Sequence, residues 1–196
     1  INMGCPAKDI IKTGAGAALI KNPLLAGEII KQVKKSIKIP LSVKTRIGWN
    51  DSNNILTFSR MLEDSGVEAL TIHGRTVSQG FFGPVDWQTI INIQKGLKIP
   101  VIGNGAVNDD FEIKGDLKNL AGLMIGRGAR GKPWIFDLLK NPNSKVKIFN
   151  FKLIKNIILK HAQLAYLLKG KQGIIELIKH LAWYFHSQAN AHKIRN

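Results

Sequence analysis

The sequence predicts an α/β fold in which parallel strands and helices alternate, as they do in a (β/α)8 TIM barrel. Short apolar segments, typical of buried strands, alternate with amphipathic segments of helical period. The strand segments begin at nearly constant intervals, at about residues 39, 68, 99 and 122. Each of them ends in polar or glycine-rich residues, which a barrel would gather at one rim. A doubly wound parallel sheet would give almost the same periodicity, and the polar strand ends favour the barrel.

The first third of the chain is predicted to hold two strands and the helix between them. An apolar strand end passes through Asn2 into a Gly-Cys-Pro turn at residues 4–6. Asn22 followed by Pro23 is typical of an N-cap and the first helical position, and apolar residues then recur at helical spacing. The second strand covers residues 41–46.

The middle of the chain continues this alternation and completes a first domain predicted over residues 1–141. Asp51 or Ser52 is expected to cap the next helix, and Gly66 to end it. The elements predicted after it are a strand over residues 69–73, a glycine-containing loop to Asp86 and Trp87, a helix through residues 90–93, a strand over residues 100–104, a helix opened by Asn108 or Asp109, and a strand over residues 122–126.

The last part of the chain is predicted to form a small all-α helical domain over residues 150–196. A linker from Pro142 to Asn150 precedes it. Two amphipathic helices are expected, with a turn between them at residues 170–173, Gly-Lys-Gln-Gly. The residues expected to face inward are Leu153, Ile154, Ile157, Ile158, Leu164, Ala165, Leu168, Ile174, Leu177, Ile178, Leu181 and Phe185.

The charge of the chain is the most informative feature of its composition. There are 29 Lys and Arg residues against 13 Asp and Glu residues, which gives a net charge of +16. Residues 141–196 contain ten basic residues and one acid, Glu176. Such an excess favours a polyanionic partner, nucleic acid first and a membrane surface second. The alternative is a lysine-rich surface that reflects the general composition.

Several classes of protein are excluded by what the sequence lacks. No apolar run approaches the roughly 18 residues of a membrane span, and we expect no membrane association and no signal peptide. A single cysteine excludes an internal disulfide and a cysteine-based zinc site, and the five histidines lack metal-ligand spacing. We therefore expect a cytoplasmic protein without a metal.

Polar residues follow each predicted strand. They are Asn2 to Cys5, Lys44-Thr45-Arg46, His73-Gly74-Arg75, Gly103-Asn104-Gly105 and Gly126-Arg127-Gly128. Because side chains alternate along a strand, Lys44 and Arg46 share one face, and so do His73 and Arg75. A barrel enzyme builds its site from the carboxyl ends of its strands, so these residues would converge on one pocket. For any single one, a polar residue satisfied at a strand end is the alternative.

The residues at the strand ends suggest both a proton donor and a cofactor. Cys5 lies in a turn where its thiol could donate or accept a proton or act as a nucleophile, although a lone cysteine is often a small buried hydrophobe. The glycine turns at residues 103–105 and 126–128 are typical of phosphate-binding loops, and Arg127 adds a cation. Lys44 and His73 would sit over a planar, electron-rich ring, for which a flavin is suitable.

A set of motifs runs through nearly the whole chain in one order. They are Asn2-Met3-Gly4-Cys5-Pro6, Val43-Lys44-Thr45-Arg46, His73-Gly74-Arg75-Thr76, Gln79-Gly80, Gly83-Pro84, Asp86-Trp87, Ile102-Gly103-Asn104-Gly105, Ile125-Gly126-Arg127-Gly128 and, more weakly, residues 179–184. In these motifs the sequence resembles the tRNA-dihydrouridine synthases, flavin enzymes that reduce a uridine in the D-loop region of tRNA.

The resemblance implies a reaction and a role for each motif residue. Cys5 would be the general acid that protonates C5 of uracil, while hydride passes from N5 of reduced FMN to C6, and NADPH (or another NAD(P)H donor) would reduce the flavin separately. The other implied contacts are Asn2 and Arg75 with the substrate, Arg46 with the flavin ring region or the substrate, Lys44 and His73 with the isoalloxazine ring, Asn104, Gly105, Gly126 and Arg127 with the ribityl phosphate, and Lys179, His180, Trp183 and Tyr184 with tRNA. The alternative for the last four is ordinary core and solvated surface.

Compared with the family, the chain begins inside what resembles the fourth barrel strand. The family's first three strands, with a Pro-Met turn and a flavin-contacting glutamine, have no counterpart. We therefore expect a partial TIM barrel of about the last five strands, as a fragment of a longer enzyme or the product of a decayed or split gene, and a monomer. Two other functions remain open: a flavin-dependent TIM-barrel reductase of a free pyrimidine, and a non-catalytic RNA-binding remnant.

Overall fold

The computed structural model describes residues 1–141 and 151–185. They form two compact units, the first comprising residues 1–107 and 113–125, and the second comprising residues 108–112 and those from 126 onward. The linker predicted from Pro142 to Asn150 lies outside the described residues. None of the helices in the described ranges combines the length and apolar character that crossing a membrane requires.

The first unit is built on one parallel sheet. Its strands are β1 (Asn2–Met3), β2 (Ser42–Arg46), β3 (Ala69–His73), β4 (Val101–Asn104) and β5 (Gly122–Met124), hydrogen-bonded in that order. In a doubly wound sheet the order in which successive strands are added reverses at a switch point. Here every strand lies beside its neighbour in the chain. The prediction of parallel α/β units is confirmed, and the order is that of consecutive strands in a barrel.

The helices of the first unit are α1 (Lys8–Lys12), α2 (Pro23–Ser36), α3 (Ile55–Asp64) and α4 (Trp87–Gly96), with 3₁₀ turns at Gly16–Lys21 and Gly115–Asn119. α1 has no buried residue, and the other three helices cover one face of the sheet. The buried residues that join strands and helices into one core include Met3, Val43, Leu70, Ile72 and Val101 from the strands and Ile30, Phe58, Leu62, Ile90 and Ile93 from the helices. Because strand side chains alternate, Lys44, Arg46, His73 and Asn104 fall on the opposite face.

Side chains cap two helix starts, of which the first is the predicted one. The Asn22 side chain accepts a hydrogen bond from the Leu25 backbone amide at 3.2 Å, with Pro23 at the first helical position. Asp86 accepts one from the Thr89 backbone amide at 2.9 Å and opens α4. These side chains satisfy backbone amides that the first turn of a helix leaves without partners.

Two other predictions of helix starts are wrong. α3 begins at Ile55 after Asn54, not after Asp51 or Ser52, because Asp51 instead accepts a hydrogen bond from the Asn53 amide at 3.0 Å and closes a local turn. No α-helix follows Asn108 or Asp109 before β5. The chain there makes a turn, and Gly115 at φ +53° then starts the 3₁₀ turn in its place.

The second unit consists mainly of a helical hairpin. It contains a 3₁₀ turn at Arg127–Ala129, α5 (Ile135–Lys140) and α6 (Phe151–Tyr184). Gly170 has φ 58° and ψ −141°, so α6 is two helical arms joined at the start of the predicted turn. The arms approach closely, because a Cβ on Gly173 would lie 2.1 Å from the Ala165 carbonyl oxygen.

The inward face predicted for these arms is only partly correct. Ile154 and Leu177 are buried. Toward the turn the expected core residues are exposed, namely Leu164, Leu168, Ile174 and Ile178. Two helices alone bury one seam, and a wider apolar stripe needs a further element to cover it.

Candidate active site

The single cysteine lies in a turn in which the amide and carbonyl groups of Gly4 and Cys5 are all hydrogen-bonded. Asn2 Oδ1 accepts hydrogen bonds from the Gly4 and Cys5 amides at 3.0 and 3.1 Å. The Gly4 carbonyl accepts one from Arg46 Nε at 3.0 Å, and the Cys5 carbonyl accepts one from the Ala17 amide at 3.1 Å. The thiol is free and half-buried. The turn therefore holds Sγ in a fixed place beside the end of β1.

The strand register gathers the polar residues predicted for the site. Arg46 of β2 pairs with His73 of β3, His73 with Asn104 of β4, and Asn104 with Met124 of β5. Lys44, which lies two residues before Arg46 on β2, pairs with Asn2 of β1. We call Lys44, Arg46, His73, Arg75 and Asn104 the strand-end cluster. The prediction that the polar strand ends in this unit share one rim agrees with the register.

His73 is held as a neutral imidazole of one tautomer. Asn104 Nδ2 donates to the Met124 carbonyl at 2.8 Å, which leaves Asn104 Oδ1 to accept from His73 Nδ1 at 2.9 Å. Burial is the main cause that lowers the pKa of His73 to about 4; the Asn104 hydrogen bond opposes this shift, and the nearby cations Arg46, Lys44 and Arg75 add to it. Nε2 is therefore an acceptor, and it is buried without a partner among the described residues.

Three cations of the strand-end cluster have no carboxylate partner in the described part of the chain. Burial, and then the Arg46 guanidinium, lower the pKa of Lys44. Burial, and then Arg75, lower the pKa of Arg46, while Cys5 raises it. Arg75 donates through Nε to the Gly83 carbonyl at 2.8 Å, and its buried Nη1 has no hydrogen-bond partner among the residues that the structure describes. Buried cations repel one another unless a negative group is nearby, so this arrangement suits an anionic or electron-rich ligand.

Arg46 is the most enclosed member of the cluster, with 3% of its surface exposed. Its Nε and Nη1 atoms donate to backbone carbonyls in two loops, those at Gly4 and at Thr76 and Gly80. Sequence reasoning assigned Arg46 to the substrate and missed these partners. Every residue has a backbone carbonyl, so no pattern in the sequence could have indicated which carbonyls Arg46 contacts.

The predicted phosphate-binding residues fall into both units. Gly105, which follows β4, has φ +136°, and a Cβ there would lie 2.9 Å from a Val85 methyl group, so the position requires glycine. Gly126 and Arg127 belong to the second unit and stand just before and within its first 3₁₀ turn. A Cβ added to Gly126 would meet none of the described residues within 4 Å, its chain neighbours aside.

The residues predicted for tRNA contact lie at the end of the second helical arm. The His180 ring packs edge-on against His161 at 4.9 Å and against Trp183 at 5.0 Å, and the Arg130 guanidinium lies 5.2 Å from the centre of the Trp183 ring. Lys179 is exposed, whereas Tyr184 is buried and its hydroxyl lies 3.2 Å from His161 Nδ1. The burial of Tyr184 favours a core role for that ring.

No metal centre is visible in the described ranges, where no three His, Cys, Asp or Glu side chains come close enough to hold an ion. Apart from the Cys5 thiol and the single imidazole nitrogen His73 Nε2, the polar side-chain atoms of the strand-end cluster belong to the cations Lys44, Arg46 and Arg75 or to the hydrogen-bonded amide of Asn104. Such a set binds acceptor-rich organic ligands rather than hard cations.

Comparisons with known proteins agree with this geometry. The family model for dihydrouridine synthase (Dus) matches residues 1–196. A probable tRNA-dihydrouridine synthase 1 of Synechocystis is 37% identical over 94% of the chain and 54% of the relative. A probable tRNA-dihydrouridine synthase of Rickettsia bellii is 35% identical over 100% and 62%, and tRNA-dihydrouridine synthase B of Pasteurella multocida is 38% identical over 94% and 58%. The chain thus spans little more than half the length of these curated relatives, and it belongs to the dihydrouridine synthase family.

Proposed function

We propose that this chain carries the flavin-contacting rim and the acid catalyst of a tRNA-dihydrouridine synthase, which reduces a uridine in tRNA to 5,6-dihydrouridine with FMN and NADPH. The observation that carries the proposal is the strand-end cluster: three buried or half-buried cations, for which the described residues offer no carboxylate partner, next to one thiol on a hydrogen-bonded turn. Ordinary packing gives no reason to concentrate unpaired positive charge beside a free cysteine.

The residues present fit a flavin. The isoalloxazine ring carries carbonyl acceptors and an N–H donor, and it becomes negative on reduction. Lys44 would stabilise the reduced, negatively charged ring, and His73 Nε2 could accept a hydrogen bond from the ring N–H. The resemblance assigns the phosphate to Asn104 and Gly105 and to Gly126 and Arg127. When bound, FMN would supply hydride to C6 of the uracil ring.

The protein's own part in the reduction is to place the base and provide a proton. Cys5 Sγ would donate its proton to C5, and solvent would return it after each turnover. The side-chain nitrogen of Asn2 has no partner among the described residues, since only Oδ1 holds the turn. It is thus available to a uracil carbonyl, as the resemblance implies. Arg75 offers its unpaired Nη1 to the same region.

A tRNA substrate explains the charge of the chain better than a free pyrimidine does. A small base would need only the strand ends, whereas the net charge is +16 and the basic residues continue through the last quarter of the chain. Lys179, His180 and Trp183 would contribute charge and ring surface to RNA. The protein would act in the cytoplasm as a monomer, with NAD(P)H as reductant.

Turnover of tRNA against free uridine tests the proposal. The purified protein, supplied with FMN and NADPH, should form dihydrouridine in tRNA and little from the nucleoside, as counted by mass spectrometry of digested RNA. Cys5→Ala should retain flavin and lose at least a hundredfold in rate, within the range of general acid catalysis. Ser52→Ala, a similar change in the loop after β2, is the matched control. Preference for free uridine, or an undiminished Cys5→Ala rate, would refute the assignment.

A second candidate is a non-catalytic RNA-binding protein. The basic residues of the last quarter of the chain favour it, because binding RNA through charge needs neither the flavin nor the thiol. Such a protein would bind tRNA in a salt-sensitive manner without taking up FMN. Flavin content measured beside tRNA affinity separates the two functions.

A further inference from the structure

Arg46 connects two loops through the hydrogen bonds of one side chain. Nε donates to the Gly4 carbonyl at 3.0 Å, while Nη1 donates to the Thr76 carbonyl at 2.9 Å and to the Gly80 carbonyl at 2.7 Å. Gly4 directly precedes Cys5, and the other two acceptors lie in the loop after β3. One guanidinium therefore fastens the turn that carries the thiol to a loop more than 70 residues away in the chain.

The loop after β3 is itself well anchored. Arg75 Nε holds the Gly83 carbonyl at 2.8 Å, and the Asp86 amide donates to the Gly74 carbonyl at 2.7 Å, which closes the loop at its base. The Val77 amide donates to the Gly48 carbonyl at 3.0 Å and joins it to the loop after β2. The loop after β3 is thus fixed by several hydrogen bonds, and the Arg46 hydrogen bonds link the Cys5 turn to it.

The geometry of these contacts requires arginine. Its planar group offers donors in a fixed fork that reaches carbonyls on different sides, whereas a lysine ammonium is a single point on a flexible stem. The arrangement also has a cost, because Arg46 is 3% exposed and no carboxylate of the described residues pairs with it. Carbonyl dipoles and the face of the Phe81 ring, 5.7 Å from the guanidinium carbon, offset the buried charge without a counter-ion, so the contacts are expensive as a means of stabilising the fold alone.

We propose that Arg46 is a positioning residue for Cys5: its guanidinium fixes the thiol turn against the loop after β3, so that the proton donor keeps one orientation toward the substrate. This inference rests on the proposed function, in which Cys5 is the acid. It differs from the substrate contact that sequence resemblance implies for Arg46. A substrate contact acts only when tRNA is present, whereas a positioning contact controls Cys5 in the free protein.

The test compares Arg46→Lys with Arg60→Lys. Lysine keeps the positive charge near Cys5 and loses the fork, so any change reports geometry. Arg60 is the matched control, because it is an exposed arginine whose Nε also donates to a backbone carbonyl, that of Gly96 at 3.4 Å. The first measurement is the second-order rate constant for alkylation of Cys5 by iodoacetamide at fixed pH without tRNA, followed on the peptide that carries Cys5. The second is the split between kcat and KM for tRNA reduction by the flavin-loaded protein.

Arg46→Lys should alkylate at least threefold faster than wild type, because the half-buried thiol is released from its turn. Its kcat should fall at least tenfold while KM for tRNA stays within twofold, and Arg60→Lys should match wild type in all three quantities. Unchanged alkylation, or a tenfold higher KM with unchanged kcat, would overturn the proposal in favour of direct substrate contact.

Folding is checked by far-UV circular dichroism and thermal unfolding. Loss of cooperative unfolding in Arg46→Lys would also overturn the proposal, since the contacts would then serve the fold rather than the thiol. If the wild-type protein does not reduce tRNA, the proposed function fails. The alkylation measurement still decides whether Arg46 controls the Cys5 turn, so the two failures are distinguishable.

Discussion

Acidification should destabilise the protein through His73 in a defined pH range. The unfolded histidine has an ordinary pKa of 6.5, whereas burial lowers the pKa of the folded one to about 4. Above pH 6.5 both states are neutral, and the full stability is present. Between pH 6.5 and 4 the unfolded chain takes up a proton that the folded protein does not, so stability is lost as the pH falls. Below pH 4 both states are charged, and His73 contributes no further loss.

The size of the effect follows from the two pKa values. Each unit of difference corresponds to about 1.4 kcal/mol, so the whole range accounts for roughly 3 kcal/mol. Between pH 7.5 and 5 the linkage relation gives a loss of about 2 kcal/mol for this one residue. That is a large fraction of the roughly 5–15 kcal/mol by which domains of this size are stable.

The assay is urea unfolding of wild type and His73→Asn at a series of pH values from 5 to 7.5. Asparagine keeps a donor near the place of His73 Nδ1, so the hydrogen bond to Asn104 Oδ1 can be preserved, and it does not titrate. The carboxylates are the same in both proteins and cancel in the difference. The advantage of wild type over the variant should shrink by about 2 kcal/mol from pH 7.5 to 5. A difference that stays constant within about 0.5 kcal/mol would refute the assignment of a buried neutral His73.

Two further predictions concern stability and cofactor retention. Glu63→Ala should lower the free energy of unfolding by about 1–2 kcal/mol, because Glu63 Oε1 accepts hydrogen bonds from the Lys98 and Ile99 amides at 2.8 and 2.9 Å before β4. The control Glu28→Ala, at an exposed position, should change the free energy of unfolding by less than about 0.5 kcal/mol. Equal losses for the two variants in urea titrations would contradict this account. Arg127→Ala should reduce the flavin content of the purified protein, measured by absorbance after heat release, and unchanged content would remove Arg127 from the phosphate site.

Local patterns predicted the strands and the start of α2 because each depends on few residues. Asn22 acts as a cap through its own side chain within the first turn, with Pro23 at the first helical position. The shared rim was also predictable, because parallel strands in chain order bring successive carboxyl ends together. Contacts within one helical turn, or between neighbouring strands of a regular sheet, can therefore be predicted from the sequence pattern.

Features that depend on distant partners could not be predicted. The tautomer of His73 is set by Asn104, whose amide is in turn oriented by the Met124 carbonyl. The arginine contacts of the cluster end on backbone oxygens that any residue supplies. The helix expected after Asn108 fails because Gly115 adopts a positive φ, and Asp109 instead pairs with Lys132.

The most direct test of the central claim is an equilibrium titration of FMN, followed by flavin fluorescence, against wild type, Lys44→Met and Lys31→Met. Lys44 is half-buried in the strand-end cluster, whereas Lys31 is exposed on α2. We expect one FMN per chain in wild type and in Lys31→Met. Affinity should fall at least tenfold in Lys44→Met, about 1.4 kcal/mol or more. Absence of FMN binding in wild type, or equal affinity in all three proteins, would contradict the claim that the strand ends form a flavin site.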